Sequence, residues 1–336
     1  PDTAAGDGTY AANMPPVMSN LPLVRYHVIA TATNGFVARS PHLDDPSTDH
    51  AYWVQSTSPQ TNLPNWQLLM DGVPLQYPYS RHLCAVSPDG QIFTDIMAKH
   101  RGNAESEDLT HTGIGLHFHR SKKYNAWFAL NQSGINIRHR LNNVKYYYRR
   151  VVAEPLAYDL QRLIGLPTPR LRHICSWING FPTITTELES PETAFLTGNG
   201  ISTADYVSRQ SYGSGRETVG GTTNLDNFVS MQSGLTTLTG ANRNEYVRTN
   251  LCHEVNQHCL ALLSLTGNGD QDLDWNMMQH RSATDGRWRQ YPWDADMSFD
   301  LSYTNAWTTL SELHPYYKTP LYPSIWDAGA SAPLGQ

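Results

Sequence analysis

Three short turn signals restrict the fold of this chain more than any other feature. Each lies between runs rich in β-branched and aromatic residues, which commits its flanks to an antiparallel pair. Pro88-Asp89-Gly90 sits inside HLCAVSPDGQIFTDIMAKHRGN, and Asn179-Gly180 inside HICSWINGFPTITTELE. Asn-Gly is the strongest of the three, because both residues tolerate the positive φ that a two-residue hairpin turn requires. Thr284-Asp285-Gly286 separates strand-like residues 275–280 from 287–293.

Helical spacing appears in two places. Val152, Leu156, Leu160 and Leu163 place a helix within residues 146–163, stopped by Gly165 and Pro167. Pro155 requires the regular part to begin close to it. Val247, Leu251, Val255, Leu262 and Leu265 predict one continuous helix over 245–265, ending at Gly267. Residues 23–30 have strand composition, residues 31–60 read as a polar loop, and residues 211–224 read as a flexible Gly/Ser/Thr loop. Strands first, then a helix, a hairpin and more helices make an α+β order. Three regions are expected: an extended arm over 1–22, a β-rich lobe with one long helix over 23–190, and a helical lobe over 191–336 that carries the third hairpin.

Composition narrows the function classes. The 336 residues are 39% hydrophobic and 10% aromatic, which is globular. A net charge of −6 with only 24 Lys and Arg gives no footprint for nucleic acid. No window reaches the ~20 apolar residues of a membrane span. Starting at Pro1, the chain reads as a processed piece of a longer polypeptide or assembly. Abundant Asn, Thr, Ser and Tyr with little Lys point to a secreted or cell-surface setting. Cys84, Cys175, Cys252 and Cys259 show no metal spacing and are expected as free thiols, with one long-range disulfide the alternative. On a single helix, Cys252 and Cys259 would stand about 10 Å apart, too far to bridge each other.

The chemistry-bearing stretch covers residues 266–300. It contains Asp270, Asp272, Asp274, Asn276, Asp294 and Asp296. A hairpin over 275–293 would bring the loop before its first strand close to the residues after its second. Carboxylates and an amide would then converge, and hard cations such as Mg2+ want those oxygen ligands. Phosphoryl transfer needs a metal, a cation on the phosphates and a carboxylate to position the acceptor hydroxyl.

GNGD…N followed by DGRWRQYPWDADMSFD resembles the signature of the spore-coat CotH family of secreted atypical protein kinases. Arg101-Gly102-Asn103, Lys122-Lys123-Tyr124, the helix passage from Glu154 to Leu160, and Ile178-Asn179-Gly180 with Glu187 follow in the family's order. Ala104-Glu105-Ser106-Glu107-Asp108 replaces the family's Ser-Ser-Arg type run. The resemblance implies a divergent bilobal protein-kinase-like fold, here truncated in its large lobe. It implies transfer of the ATP γ-phosphate to Ser/Thr of extracellular or surface proteins, with Mg2+ or Mn2+. Asp270 or Asp272 would be the catalytic base, and Asn276 with Asp294 and Asp296 would hold metal. Lys122 or Lys123 would contact phosphate and pair with Glu154, and Glu187 would lie at an interlobe hinge near the adenine.

The competing reading is a non-catalytic pseudokinase, a structural or surface-assembly module for which Ca2+ is an optional ion. An EF-hand is excluded, since its Gly and closing Glu positions hold Trp275 and Arg281. His253 and His258 are five apart, which turns their rings about 140° away from each other on a helix. They read as structural or surface residues, as do His117 and His119. Trp293 and Phe299 read as core.

Overall fold

The computed structural model describes residues 23–41, 50–53, 62–70, 80–101, 113–119, 122–137, 149–178, 180–211, 215–220, 226–268 and 276–299. All three expected hairpins form. Strands β6 (Ser80–Val86) and β7 (Ile92–Arg101) pair across the Pro88-Asp89-Gly90 turn, where Gly90 has φ +83°. Strands β10 (Leu171–Ile178) and β11 (Phe181–Glu189) pair from Ile178–Phe181 outward, leaving a two-residue loop. Strands β14 (Met277–Arg281) and β15 (Trp288–Pro292) pair around residues 282–287, with Gly286 at φ +69°.

The bilobal kinase-like expectation is overturned. Strands β5 (Asn65–Met70), β8 (Gly113–His117) and β9 (Gly134–Ile137) join the first two hairpins in a closed seven-stranded barrel, ordered β10-β11-β9-β8-β7-β6-β5. Closure comes from a parallel pairing of β10 with β5, in which Cys175–Ile178 meets Asn65–Leu68. A sheet whose two edges bond to each other encloses an interior that must fill with side chains, which makes this a β-rich barrel fold rather than a bilobal one. Trp66, Leu68, Ile96, Ile114, Leu116, Ile135, Ile137 and Ile174 fill it.

The region expected as a helical lobe is built instead on a second sheet. Its order is β13-β12-β14-β15, with β12 at Tyr206–Ser211 and β13 at Gly215–Gly220. β13 occupies the stretch read as a flexible loop: its Gly and Thr residues suit an edge that only has to bond β12. The polar stretch 31–60 likewise yields β3 (Val37–Ser40), paired with β2 (Val28–Thr31), and β4 (His50–Trp53), paired with β1 (Leu23–Tyr26). The expected arm over 1–22 lies outside the described residues.

Helix α1 (Glu154–Leu163) follows a π-helical turn over Arg149–Ala153. Pro155 is accommodated in its first turn, where a missing N–H costs little. Gly165 closes it with φ +77°, its N–H donating to Arg162 and that of Leu166 to Gln161. After α2 (Thr193–Gly198) and α3 (Asp226–Thr237), the long helix expected over 245–265 is broken. It becomes α4 (Gly240–Asn250) and α5 (His253–Thr266). The break arises because Leu251 and Cys252 are captured by the β15 edge, with the Cys252 N–H donating to the Trp288 carbonyl at 2.9 Å. All four cysteines are free thiols. A second core, including Tyr158, Leu188, Phe195, Leu262, Met277 and Trp293, lies between the outer barrel wall, α1, α5 and the second sheet. No helix among the described residues is long and apolar enough to cross a membrane.

Candidate metal-binding end of the third hairpin

The third hairpin brings Asn276 and the residues after β15 to one end. The terminal β14–β15 pair is Met277 with Pro292, and one step beyond it the Trp293 N–H donates to the Asn276 carbonyl at 2.8 Å. Asn276 and Asp294 both adopt positive φ, 53° and 58°. That region is costly for a residue with a side chain, although Asn and Asp accept it more readily than most. Asp294 leads directly into a 3-10 turn, Ala295–Met297, that contains Asp296.

Helix α1 presses on this end from the side. Its buried residues Glu154, Tyr158 and Gln161 share one stripe, as spacings of four and three require. Gln161 Nε2 donates to the Pro292 carbonyl at 3.2 Å, and the Tyr158 hydroxyl accepts from the Asp294 N–H at 3.1 Å. Glu154, fully buried, starts the same helix, and both α1 and the π-turn before it pack against the 3-10 turn. Trp293 is buried as expected, edge-on to Phe195, with the Arg209 guanidinium 5.8 Å from its ring centre. Residues Asp270 and Asp272, expected as the catalytic base, lie outside the described residues.

The other expected ligands are placed elsewhere. Glu187 is fully buried on β11, where its carboxylate accepts from Trp66 Nε1 at 3.1 Å and from Arg172 Nε and Nη2 at 3.0 and 2.8 Å. Tyr124 adds a longer bond at 3.4 Å. Side chains alternate along a strand, so Glu187 shares the barrel interior with Ile137, its partner on β9. Its neighbour Leu188 points outward into the core beneath α1. Glu187 and Glu154 therefore stand on opposite sides of the barrel wall. Burial pushes the Glu187 carboxyl above its ordinary range, and Arg172 opposes that shift.

Lys122 and Lys123 lie in a loop rather than on the expected strand. A single bridge between Tyr124 and Gln132 anchors that loop across the barrel end. Lys122 sets its ammonium 5.7 Å from the Phe93 ring centre instead of pairing with Glu154. Among the described residues, neither Lys122 nor Lys123 forms an ion pair with Glu154.

One network on the third hairpin has no signal in the sequence. His280 on β14 is held between the Asp205 carboxylate, 2.8 Å from Nε2, and the Tyr291 hydroxyl, 2.5 Å from Nδ1. Asp205 also accepts from the Ala283 N–H at 2.9 Å. All three side chains are buried, and burial lowers the imidazole pKa and raises that of Tyr291. Asp205 and His280 are far apart in sequence, so no local pattern marks the pair. The network ties the turn end of the hairpin to the start of β12.

The donor set at the other end, one amide and two carboxylates, is chemically suited to a hard divalent cation. Mg2+ and Mn2+ take one or two carboxylates and complete their shell with water and substrate phosphates. Among the described residues, no three His, Cys, Asp or Glu side chains are grouped so as to hold a metal by themselves. Comparison with protein-family models and with curated proteins finds no match to this chain.

Proposed function

We propose that this chain is a divalent-metal-dependent phosphotransferase. It passes the γ-phosphoryl group of ATP to Ser or Thr hydroxyls of extracellular or cell-surface proteins, and Asn276, Asp294 and Asp296 hold Mg2+ or Mn2+. The observation that carries this reading is the convergence of Asn276 with the Asp294 segment at one hairpin end, both in left-handed backbone conformations. Strain in polar residues at one spot is characteristic of functional sites. A bound ion there would neutralise charge on the transferring phosphoryl group. Asp270 or Asp272, a few residues before Asn276, positions the acceptor hydroxyl in this reading.

Glu187 and Lys122 have no part in it. The Glu187 carboxylate is already engaged inside the barrel, and Lys122 rests on Phe93. These two placements also favour a second reading, a non-catalytic surface-assembly module that binds Ca2+ without nucleotide. The distinguishing experiment is transfer of label from γ-labelled ATP to a panel of secreted proteins and to the chain itself, with Mn2+ present. Transfer by the wild type that is lost in Asp296→Ala, with an unchanged melting temperature, supports the phosphotransferase. An inactive wild type that is stabilised by Ca2+ alone supports the assembly module.

A further inference from the structure

Residues 292–294, which lead from the third hairpin into the proposed metal turn, have one backbone group fixed at each position. The Trp293 N–H is held by Asn276, across the hairpin. The other two are held by a single helix: the Pro292 carbonyl by Gln161 and the Asp294 N–H by the Tyr158 hydroxyl. Tyr158 and Gln161 are each about 1% exposed, and three residues along a helix places them on one face. On the far side, the Asn268 amide lies 3.5 Å from the Asp294 carbonyl and 3.4 Å from Ser298 Oγ.

We propose that Tyr158 is a positioning residue for the metal site, holding Asp294 in the left-handed conformation from which its side chain serves the ion. The inference rests on the metal reading above. Asp294 pays for φ 58°, ψ 63° with backbone strain. A left-handed Asp on an irregular segment returns to the β or right-handed region unless neighbouring groups over-determine it. Tyr158 supplies one such constraint directly at the Asp294 nitrogen. Because the phenol is buried, water cannot replace it when it is removed. Partners that orient ligands without touching the metal typically change metal affinity by about 10–100-fold. The Tyr158 bond acts on the backbone nitrogen of a proposed ligand residue without reaching the ion, which places it in that class.

The test is Mn2+ titration followed by electron paramagnetic resonance, in which the free-ion signal falls as the ion binds. The variants are Tyr158→Phe, which keeps the ring and removes the acceptor, and Tyr291→Phe as a matched control. Tyr291→Phe also loses a buried hydroxyl bond, to His280, but does not touch Asp294. The expected result is Mn2+ binding by the wild type, about tenfold weaker binding in Tyr158→Phe, and wild-type affinity in Tyr291→Phe. Equal affinity in wild type and Tyr158→Phe overturns the positioning role and leaves the metal reading standing. Equal weakening in both variants also overturns it, since general destabilisation would then account for the effect. A wild type that takes up no Mn2+ overturns both. Should Tyr158→Phe fail to fold, amide exchange in the wild type decides. An Asp294 N–H that exchanges slowly, and more slowly with Mg2+, supports the role, and one indifferent to Mg2+ refutes it.

Discussion

Replacing Arg172 by Met would leave the Glu187 carboxylate inside the barrel without its cation. Glu187 is fully buried, and Arg172 gives it two hydrogen bonds at 2.8 and 3.0 Å while resting its guanidinium 5.3 Å from the Trp127 ring centre. Removing one partner of a buried pair costs about 3–5 kcal/mol. The carboxyl can escape part of this by taking up a proton. For a group with an ordinary pKa of about 4.3, that uptake costs about 3.7 kcal/mol at pH 7 and about 1 kcal/mol at pH 5. Protonation thus caps the penalty, and the cap moves with pH. Burial already raises the Glu187 pKa, and losing Arg172 raises it further. A carboxyl with a raised folded-state pKa favours the fold most below its unfolded pKa, and that advantage is lost as pH rises through the folded value. Urea unfolding should therefore show Arg172→Met destabilised by about 3–4 kcal/mol at pH 7 and by about 1–2 kcal/mol at pH 5. The double variant Arg172→Met/Glu187→Gln should recover most of the loss at pH 7. A single-variant loss independent of pH, or a double variant no better than the single, would refute the buried-charge account.

Two further outcomes follow from the second sheet. Asn256 caps the β15 edge, its amide donating to the Trp288 and Cys252 carbonyls at 3.0 and 2.8 Å and accepting from the Gln290 N–H at 3.0 Å. Asn256→Ala leaves that N–H buried without a partner and should cost about 2–4 kcal/mol in urea unfolding, with an unchanged denaturant slope. At the hairpin turn, the Arg289 guanidinium beside Asp285 holds its carboxyl down to about 2. The stability this contributes is present above pH ~3.9 and is lost as pH falls toward 2. Asp285 is well exposed, so the effect should be only a few tenths of a kcal/mol, shrink in 1 M salt and fall in Arg289→Ala to the part that the Arg287 N–H and charge sustain.

The parts of the fold legible in the sequence are those decided by neighbours in the chain. Pro88-Asp89-Gly90, Asn179-Gly180 and Thr284-Asp285-Gly286 each fix a hairpin through turn chemistry alone, and each pair forms. Closure of the barrel is different in kind. It depends on pairing residues 65–68 with 175–178, a contact over a hundred residues apart that no local pattern encodes. The split of α4 from α5 has the same origin: the helical stripe through Leu251 is continuous, and only competition from the β15 edge breaks it. At the site, the hairpin sets Asn276 opposite Trp293, next to Asp294, whereas the acidic loop expected to converge there lies outside the described residues. The setting of Glu187 was not legible because a carboxylate on a strand looks the same whether it faces a ligand or a barrel interior. What decides is the partner set of Arg172, Trp66 and Tyr124, contributed by three other segments. Tyr158 could have been noticed from its position one turn after Glu154, but its bond to Asp294 spans two distant segments.

The most direct test of the proposed site is thermal stability measured with Mn2+, with ATP and with both, in wild type and in Asp296→Ala. A ligand at 100 times its dissociation constant stabilises the folded state by about 2.7 kcal/mol. The proposal predicts a rise of that order in the wild type that requires metal and nucleotide together, and no rise in Asp296→Ala. No response in the wild type, or a response that persists in Asp296→Ala, would contradict it.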